Sequence, residues 1–312
     1  MKKIALSGNN VFLYFERQYI KYQIIRVKIK RLLLDDERIC LRANKKYKDR
    51  EPDIKNPKTF TDKLLYLKLH YRNPLLTLCS DKYYAGEYVK ACGYESILRT
   101  IYGIYNDANQ IDFEKLPERF FMRCNHMSGC NYLIKKDEIN IEHTKKYFNS
   151  LLKFNYSDVA CEWSYKNIKP KIIIEEVLEN SDKSPLVDYK FYCFSGVPKY
   201  FMISVGEFSH EVRNHKFDMQ KKSIDSLFKK ESSLPSDEVK MPDNIDEMIK
   251  IAERLCKPFP HVRVDLYNID GKIVFGELTF YSNSGSVNVY SESFDAEIGS
   301  WIDLNRYKND ME

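Results

Sequence analysis

His261-Val262-Arg263-Val264-Asp265-Leu266-Tyr267 runs through Asn268-Ile269-Asp270-Gly271 into Ile273-Val274-Phe275-Gly276-Glu277-Leu278-Thr279-Phe280. An Asp-Gly step between runs of β-branched and aromatic residues predicts a hairpin. Period-2 alternation sets Val262, Val264 and Leu266 on one face and Arg263, Asp265 and Tyr267 on the other. The first face reads as core and the second as chemistry. A three-residue loop would bring Asp265 opposite Glu277 on the polar face, whereas a two-residue loop would put them on opposite faces. With the odd loop, two carboxylates and a guanidinium converge, which suits a hard divalent cation on oxygen ligands beside a phosphate held by arginine. An Arg–Asp pair next to an edge-strand glutamate, with no ligand, is the other reading of the same residues.

The chain has 312 residues and a hydrophobic fraction of 43%, enough for a substantial core. Its formal charge of +5 is small beside 50 basic and 45 acidic side chains, and argues against a nucleic-acid partner. The basic residues are unevenly spread. Lys2, Lys3, Arg17, Lys21, Arg26, Lys28, Lys30 and Arg31 interleave with Phe12, Tyr19, Ile20, Ile24, Ile25 and Leu32 to Leu34, the pattern of a basic amphipathic helix. Such a helix either lies on an anionic membrane surface or packs on its own domain. No apolar run reaches transmembrane length and Asn9-Asn10 interrupts any signal-peptide core, so a cytoplasmic chain is expected, with peripheral membrane contact through residues 1–34. Eight cysteines without a CxxC pair read as free thiols, and Cys124 and Cys130 flank His126 without a second cluster of zinc-like spacing.

Between these landmarks, residues 45–60 read as a polar loop, and Thr61-Asp62 as the cap of a helix through Leu64, Leu65, Leu67 and Leu69. A helix is expected over 82–92 and a strand around 97–105. Phe120 to Cys124 and Tyr132 to Lys135 are strands joined by the polar loop Asn125-His126-Met127-Ser128-Gly129-Cys130-Asn131, whose backbone N–H groups suit phosphate. A helix over 139–152, a buried strand over 171–178 ending in Glu175-Glu176, and a hairpin over 188–205 follow. Residues 206–245 read as a long polar excursion and 246–256 as an amphipathic helix.

Taken in order, Asn56-Pro57-Lys58-Thr59-Phe60-Thr61-Asp62-Lys63, Leu116-Pro117 leading to Cys124-Asn125-His126-Met127-Ser128-Gly129, Pro170 to Glu176, Asp188-Tyr189-Lys190, Arg263 to Tyr267 and Phe275 to Phe280 resemble the TupA-like branch of the ATP-grasp superfamily, found in bacterial capsule and cell-wall polysaccharide loci. The likeness runs from about Asn56 to Leu304. It implies an α+β fold in which two α+β subdomains grip a nucleotide, preceded by a helical N-terminal region. The expected parts are a basic helical region at 1–45, a helical and α+β part at 46–115, the small ATP-grasp subdomain at 116–180 and the C-terminal subdomain at 181–312.

The implied cofactors are ATP and Mg²⁺, and the implied reaction joins a carboxylate to an amine through an acyl phosphate. Asp265, Glu277 and Thr279 are then the metal ligands, with Arg263 and Lys190 stabilising the transferring phosphoryl group. His126, Ser128 and Gly129 would cover the phosphates, and Arg123, entering the loop, and Lys190 would also bind the nucleotide. Glu175 and Glu176 would meet adenine by backbone and ribose by carboxylate. The implied partners are an acidic glycan or lipid-linked sugar intermediate and an amine, amino acid or peptide. The chain departs from the family in carrying Arg123 for a lysine, Met127 and Cys130 in the loop, and Gly86 for an arginine. A non-catalytic or glycosyltransferase-like component of a polysaccharide assembly complex is the alternative.

Overall fold

A computed structural model of the chain describes residues 10–45, 51–206, 212–229, 234–235, 239, 241–285 and 290–312, with no side-chain description for 10–17 and 45. The helices are α1 Asn10–Leu33, α2 Asp36–Lys45, α3 Phe60–His70, α4 Pro74–Ser80, α5 Ala85–Ala91, α6 Ile141–Leu151, α7 Tyr156–Ala160, α8 Ile245–Cys256 and α9 Glu292–Ser300. Two antiparallel sheets carry the architecture. The smaller contains β1 Ile101–Tyr105, β2 Arg119–Cys124, β3 Asn131–Lys135 and β4 Ile172–Glu175 in the order β1-β4-β2-β3. Ile172, Ile173 and Ile174 make β4 a fully buried strand paired on both sides, as a run of β-branched residues favours. Phe120, Met122 and Ile134 on this sheet pack with Tyr147, Phe148 and Leu151 of α6.

The larger sheet contains β5 Val187–Phe194, β6 Val197–Val205, β7 Arg213–Asp218, β8 His261–Ile269 and β9 Lys272–Thr279 in the order β7-β6-β5-β8-β9. Met248, Ile251, Ala252 and Leu255 recur at helical spacing along α8 and are fully buried in the core beneath this sheet. The same core takes Phe60, Leu64 and Leu67 of α3, Leu76 of α4, Val89 of α5 and Phe294 and Ile298 of α9.

Several boundaries differ from the sequence reading. The cap of α3 is Thr59, not Thr61-Asp62. Thr59 accepts from the Asp62 amide and Asp62 answers with its carboxylate, a capping box. Thr61 instead donates through both its amide and its hydroxyl to Asp295 of α9, each at 3.0 Å. The division at 115/116 cuts the small sheet, because β1 lies before it and pairs with β4, while α3 to α5 belong to the core of the large sheet. The excursion at 206–245 contributes an edge strand, β7, paired along β6.

Lys2 and Lys3 of the basic stretch lie outside the described residues. Farther along α1, Ile20 is buried in the small-sheet core and Arg31 donates to the carbonyls of Asp158 at 2.8 Å and Ser157 at 2.9 Å. Its opposite side exposes Tyr22, Ile25, Ile29, Leu32 and Leu33, each more than half. No helix among the described residues is long and apolar enough to cross a membrane.

Candidate active site

The β8–β9 hairpin aligns its charges through an irregularity rather than through loop length. Its loop is two residues, Asp270 and Gly271, both left-handed at φ 50° and 84°, with Ile269 paired to Lys272. In a regular ladder that loop would set Gly276 across from Asp265 and turn Glu277 to the core. A β-bulge lets β9 take up one extra residue, so that Leu266 pairs with Phe275 and Asp265 with Glu277. The expectation that alignment needs a three-residue loop is corrected: the loop is even and the bulge supplies the odd residue. Gly276 is that residue, and a Cβ there would lie 2.8 Å from the Asp265 carbonyl oxygen.

On the polar face, Arg263 forks onto Asp265, with Nε to Oδ1 and Nη2 to Oδ2 both at 2.6 Å. Its Nη2 also donates to the Thr279 hydroxyl at 3.1 Å and stands 3.6 Å from Glu277 Oε1, which accepts from Thr279 at 3.0 Å. Lys190 of β5, paired across the ladder with Asp265, binds Asp188 and lies 3.4 Å from Asp265 Oδ2. Burial pushes the Glu277 carboxyl up, but Lys82, Arg263 and Lys190 outweigh it and hold the group below its ordinary range. Burial likewise disfavours the Arg263 cation, yet Asp265 keeps it firmly charged.

The five residues expected to serve metal and phosphoryl group thus form one contact network. No cluster of three or more His, Cys, Asp or Glu able to hold a metal occurs among the described residues. Two carboxylates and a hydroxyl fit a Mg²⁺ that keeps waters and completes its shell with phosphate oxygens, not an all-protein cage.

The small sheet faces this network across a cleft. Two adjoining cavities, of about 480 and 140 Å³, share Arg99, Arg123, Glu175 and Gly276. The second also takes in Lys190, Arg263, Asp265 and Glu277, together with the apolar side chains of Phe121, Leu178 and Leu186. Arg123 from β2 reaches Glu175 Oε2 at 2.9 Å, and Arg99 reaches Oε1 at 2.7 Å. Arg99 also donates to Phe275 O at 3.3 Å and sits 6.0 Å from the centre of the Tyr267 ring. Glu175, 1% exposed, is therefore committed to two guanidiniums, and Glu176 accepts from the Thr100 amide at 2.7 Å. Glu175 is thus held by arginines where the sequence reading expected a ribose.

The loop after β2 divides its residues. Asn125 anchors it: its side-chain amide donates to Asp81 at 2.7 Å and Lys169 O at 3.0 Å, and its oxygen accepts from the Lys171 amide at 2.7 Å. His126 is buried with Nε2 3.2 Å from Phe154 O, and burial lowers its pKa, so it packs under the loop and does not line the cavities. Gly129 is exposed at φ +76° with nothing near its Cβ position. Ser128 faces a third cavity, of about 320 Å³, that Lys82, Arg263, Glu277 and Thr279 also line.

Three residues that line these cavities escaped the sequence reading: Lys82, Arg99 and Glu162. Lys82 lines the first and third cavities and forms no ion pair among the described residues, and burial draws its pKa down against the pull of Glu277. Its only sequence signal is a place just before α5, which any surface lysine shares.

Comparison with known proteins comes from two directions. A family model described as TupA-like ATPgrasp matches residues 62–303. Among solved structures the chain is similar to the ATP-grasp ligase PsnB complexed with minimal precursor, at 10% identity over 74% of this chain and 62% of that one, TM-score 0.41. It is similar also to D-alanine–D-alanine ligases from Bacillus anthracis, at 17% identity over 77% and 70% with TM-score 0.43, and from Coxiella burnetii, at 11% over 80% and 66% with TM-score 0.43. The chain thus spans less than two thirds of the length of PsnB. No curated protein matches it.

Proposed function

Because the chain belongs to the TupA-like ATP-grasp family, we propose that it is an ATP-dependent ligase that joins a carboxylate to an amine through an acyl phosphate. The observation carrying this reading is the Asp265–Glu277 pair, brought to one face by the bulge and flanked by Arg263 and Lys190 at the mouth of a cleft between two sheets. Asp265, Glu277 and the Thr279 hydroxyl would hold Mg²⁺, which when bound offsets the phosphate charge. Lys190 and Arg263 would draw the γ-phosphoryl group toward an incoming carboxylate, charge placed where it develops in the transition state. Phe121, Leu178 and Leu186 offer the apolar slot a purine needs.

We further propose that the acceptor is an acidic sugar unit of a bacterial surface polysaccharide and that α1 holds the protein against an anionic membrane. The exposed stripe Tyr22, Ile25, Ile29, Leu32 and Leu33 lies opposite buried Ile20 and is bordered by Lys21 and Lys28 on one side and Arg26 and Lys30 on the other at helical spacing. A non-catalytic binding role is favoured by one observation, the closed Arg263–Asp265 fork, which a bound cation would have to open.

Incubation with ATP, Mg²⁺, uronic-acid oligosaccharides and hydroxylamine separates these readings. A ligase yields an acyl hydroxamate and ADP. ATP binding without hydroxamate from any carboxylate in the panel would remove the ligase reading. Sedimentation with anionic liposomes, lost on removal of residues 1–34 and falling steeply with salt, tests the membrane contact.

A further inference from the structure

The third cavity is walled on one side by Lys82, Ser128, Glu277 and Thr279, and on another by a carboxylate that the chemistry above does not use. Glu162 is 8% exposed, yet it lines the cavity. Its Oε1 accepts from the Ser284 hydroxyl at 2.9 Å, the one hydrogen bond of this carboxylate among the described residues. A carboxylate with one hydrogen bond on the wall of a cavity keeps acceptor capacity for an incoming donor.

The surrounding construction fixes that carboxylate in place through Oε1. Ser284 sits in a turn of three consecutive left-handed residues, Asn283, Ser284 and Gly285, at φ 50°, 57° and 78°. Two of these are not glycine, a strained arrangement that persists only where neighbours enforce it. The enforcing group is Lys68, a buried lysine of α3 whose Nζ donates to Ser284 O at 2.6 Å and to Ser284 Oγ at 3.1 Å. Tyr156 and Tyr165, in edge contact with ring centres 4.9 Å apart, supply an aromatic side to the cavity.

We propose that this cavity receives the amine substrate, and that Glu162 binds its ammonium and removes a proton before the nitrogen attacks. The assignment rests on the ligase reading. The substrate class is a primary alkylammonium ion: a carboxylate with acceptor capacity and aromatic faces favour a cation, and Lys82 repels it from the phosphoryl end.

The ammonium loses one proton to Glu162. The free amine forms a C–N bond to the acyl carbon as the bond from that carbon to the phosphate oxygen breaks, and the second proton leaves with inorganic phosphate. Amide, hydrogen phosphate and protonated Glu162 result.

The electrostatic setting suits the task. Burial is the main influence on Glu162 and pushes its carboxyl up to about 7, against the opposing pull of Lys68, Ser284 and Lys82, with Glu277 adding to the rise. The phenols of Tyr156, Tyr165 and Tyr281 also face it and are themselves raised by burial, so they stay neutral near pH 7. A base that titrates near the working pH is the efficient one.

The test compares two nucleophiles on the full chain with ATP, Mg²⁺ and oligoglucuronic acid. Methylamine is protonated near neutrality and needs a base, whereas hydroxylamine is mostly unprotonated and does not. In Glu162→Gln, methylamide formation should fall by about a hundredfold while hydroxamate formation stays within about threefold of wild type. Raising the pH toward 9 should close the gap, and Glu162→Asp should recover part of the methylamide rate. Equal loss with both nucleophiles in Glu162→Gln and in Glu162→Asp, or no loss with methylamine, overturns the assignment. Absence of hydroxamate from the wild-type protein removes the ligase reading itself, and this inference with it.

Discussion

Replacing Gly276 by alanine tests whether the bulge is what makes the site. The added methyl would stand 2.8 Å from the Asp265 carbonyl oxygen and 3.2 Å from both the Asp265 carbonyl carbon and Tyr267 Cε2. Two of these three neighbours are backbone of β8, which is paired on both sides, so neither can rotate away. Relief requires β8 and β9 to part by roughly half an ångström, a strain that costs about 1–3 kcal/mol in a packed region. The backbone conformation adds no penalty, since Gly276 is not among the positive-φ glycines.

The larger effect falls on geometry. Asp265 and Glu277 flank the intrusion directly, and a displacement on the order of 1 Å in a reacting constellation can cost about a hundredfold in rate. The expected result is a protein that still folds, melts several degrees lower, and releases ADP in the presence of Mg²⁺ and substrate at about one hundredth of the wild-type rate. Calorimetric titration with Mg²⁺–ATP beside a circular-dichroism melt makes the measurement. Wild-type turnover with an unchanged melt would show that the pairing of Asp265 with Glu277 has no part in the activity. Wild-type turnover with a lowered melt would show that the bulge matters to the sheet alone.

Glu277→Gln should reduce Mg²⁺-dependent turnover by more than about a hundredfold with little change in the melt, because Glu277 is half-buried at the cleft and no cation is left stranded in the core. Asp265→Asn should lose turnover and also about 3–5 kcal/mol of stability, measured by urea unfolding, since Asp265 neutralises both Arg263 and buried Lys190. Arg99→Met and Glu175→Gln should each destabilise, and together should cost less than their sum, the coupling being read from a double-mutant cycle. His261 carries a pH dependence. Burial is the main cause that lowers its pKa to about 3, so its contribution is complete above about pH 6.5 and is lost as the pH falls toward 3. Between pH 6.5 and 5 the wild-type protein should lose about 2 kcal/mol from this group, and His261→Phe should flatten that slope in chemical denaturation.

The hairpin of β8 and β9 was legible because its signals are local: alternation, an Asp-Gly turn, and charges every second residue. Those same signals left its register open, since a bulge depends on whether a side chain fits between strands, and only the glycine at 276 hinted at it. β7 went unseen because Arg213-Asn214-His215-Lys216-Phe217-Asp218 is an edge strand with a polar face. His215 and Lys216 are buried by partners such as Asp225 rather than by hydrophobicity. Arg99, Lys82 and Glu162 come from three separate stretches and acquire meaning only when the two sheets meet. Glu175 was seen but misread, because an acid at a strand end looks available until the two arginines that hold it are in place.

Arg99 belongs to the segment entering the small sheet, yet its guanidinium holds Glu175 on β4, a backbone carbonyl on β9 and the face of Tyr267 on β8. One side chain is thus fastened to both halves of the molecule at the same edge of the cleft. Any swing that widens the cleft meets the least resistance if it turns about that edge, leaving these contacts intact. Arg99 would then act as a fulcrum, and the displacement of each cleft residue would scale with its distance from it: Gly276 and Glu175 would hardly move apart, while the far rim would travel most.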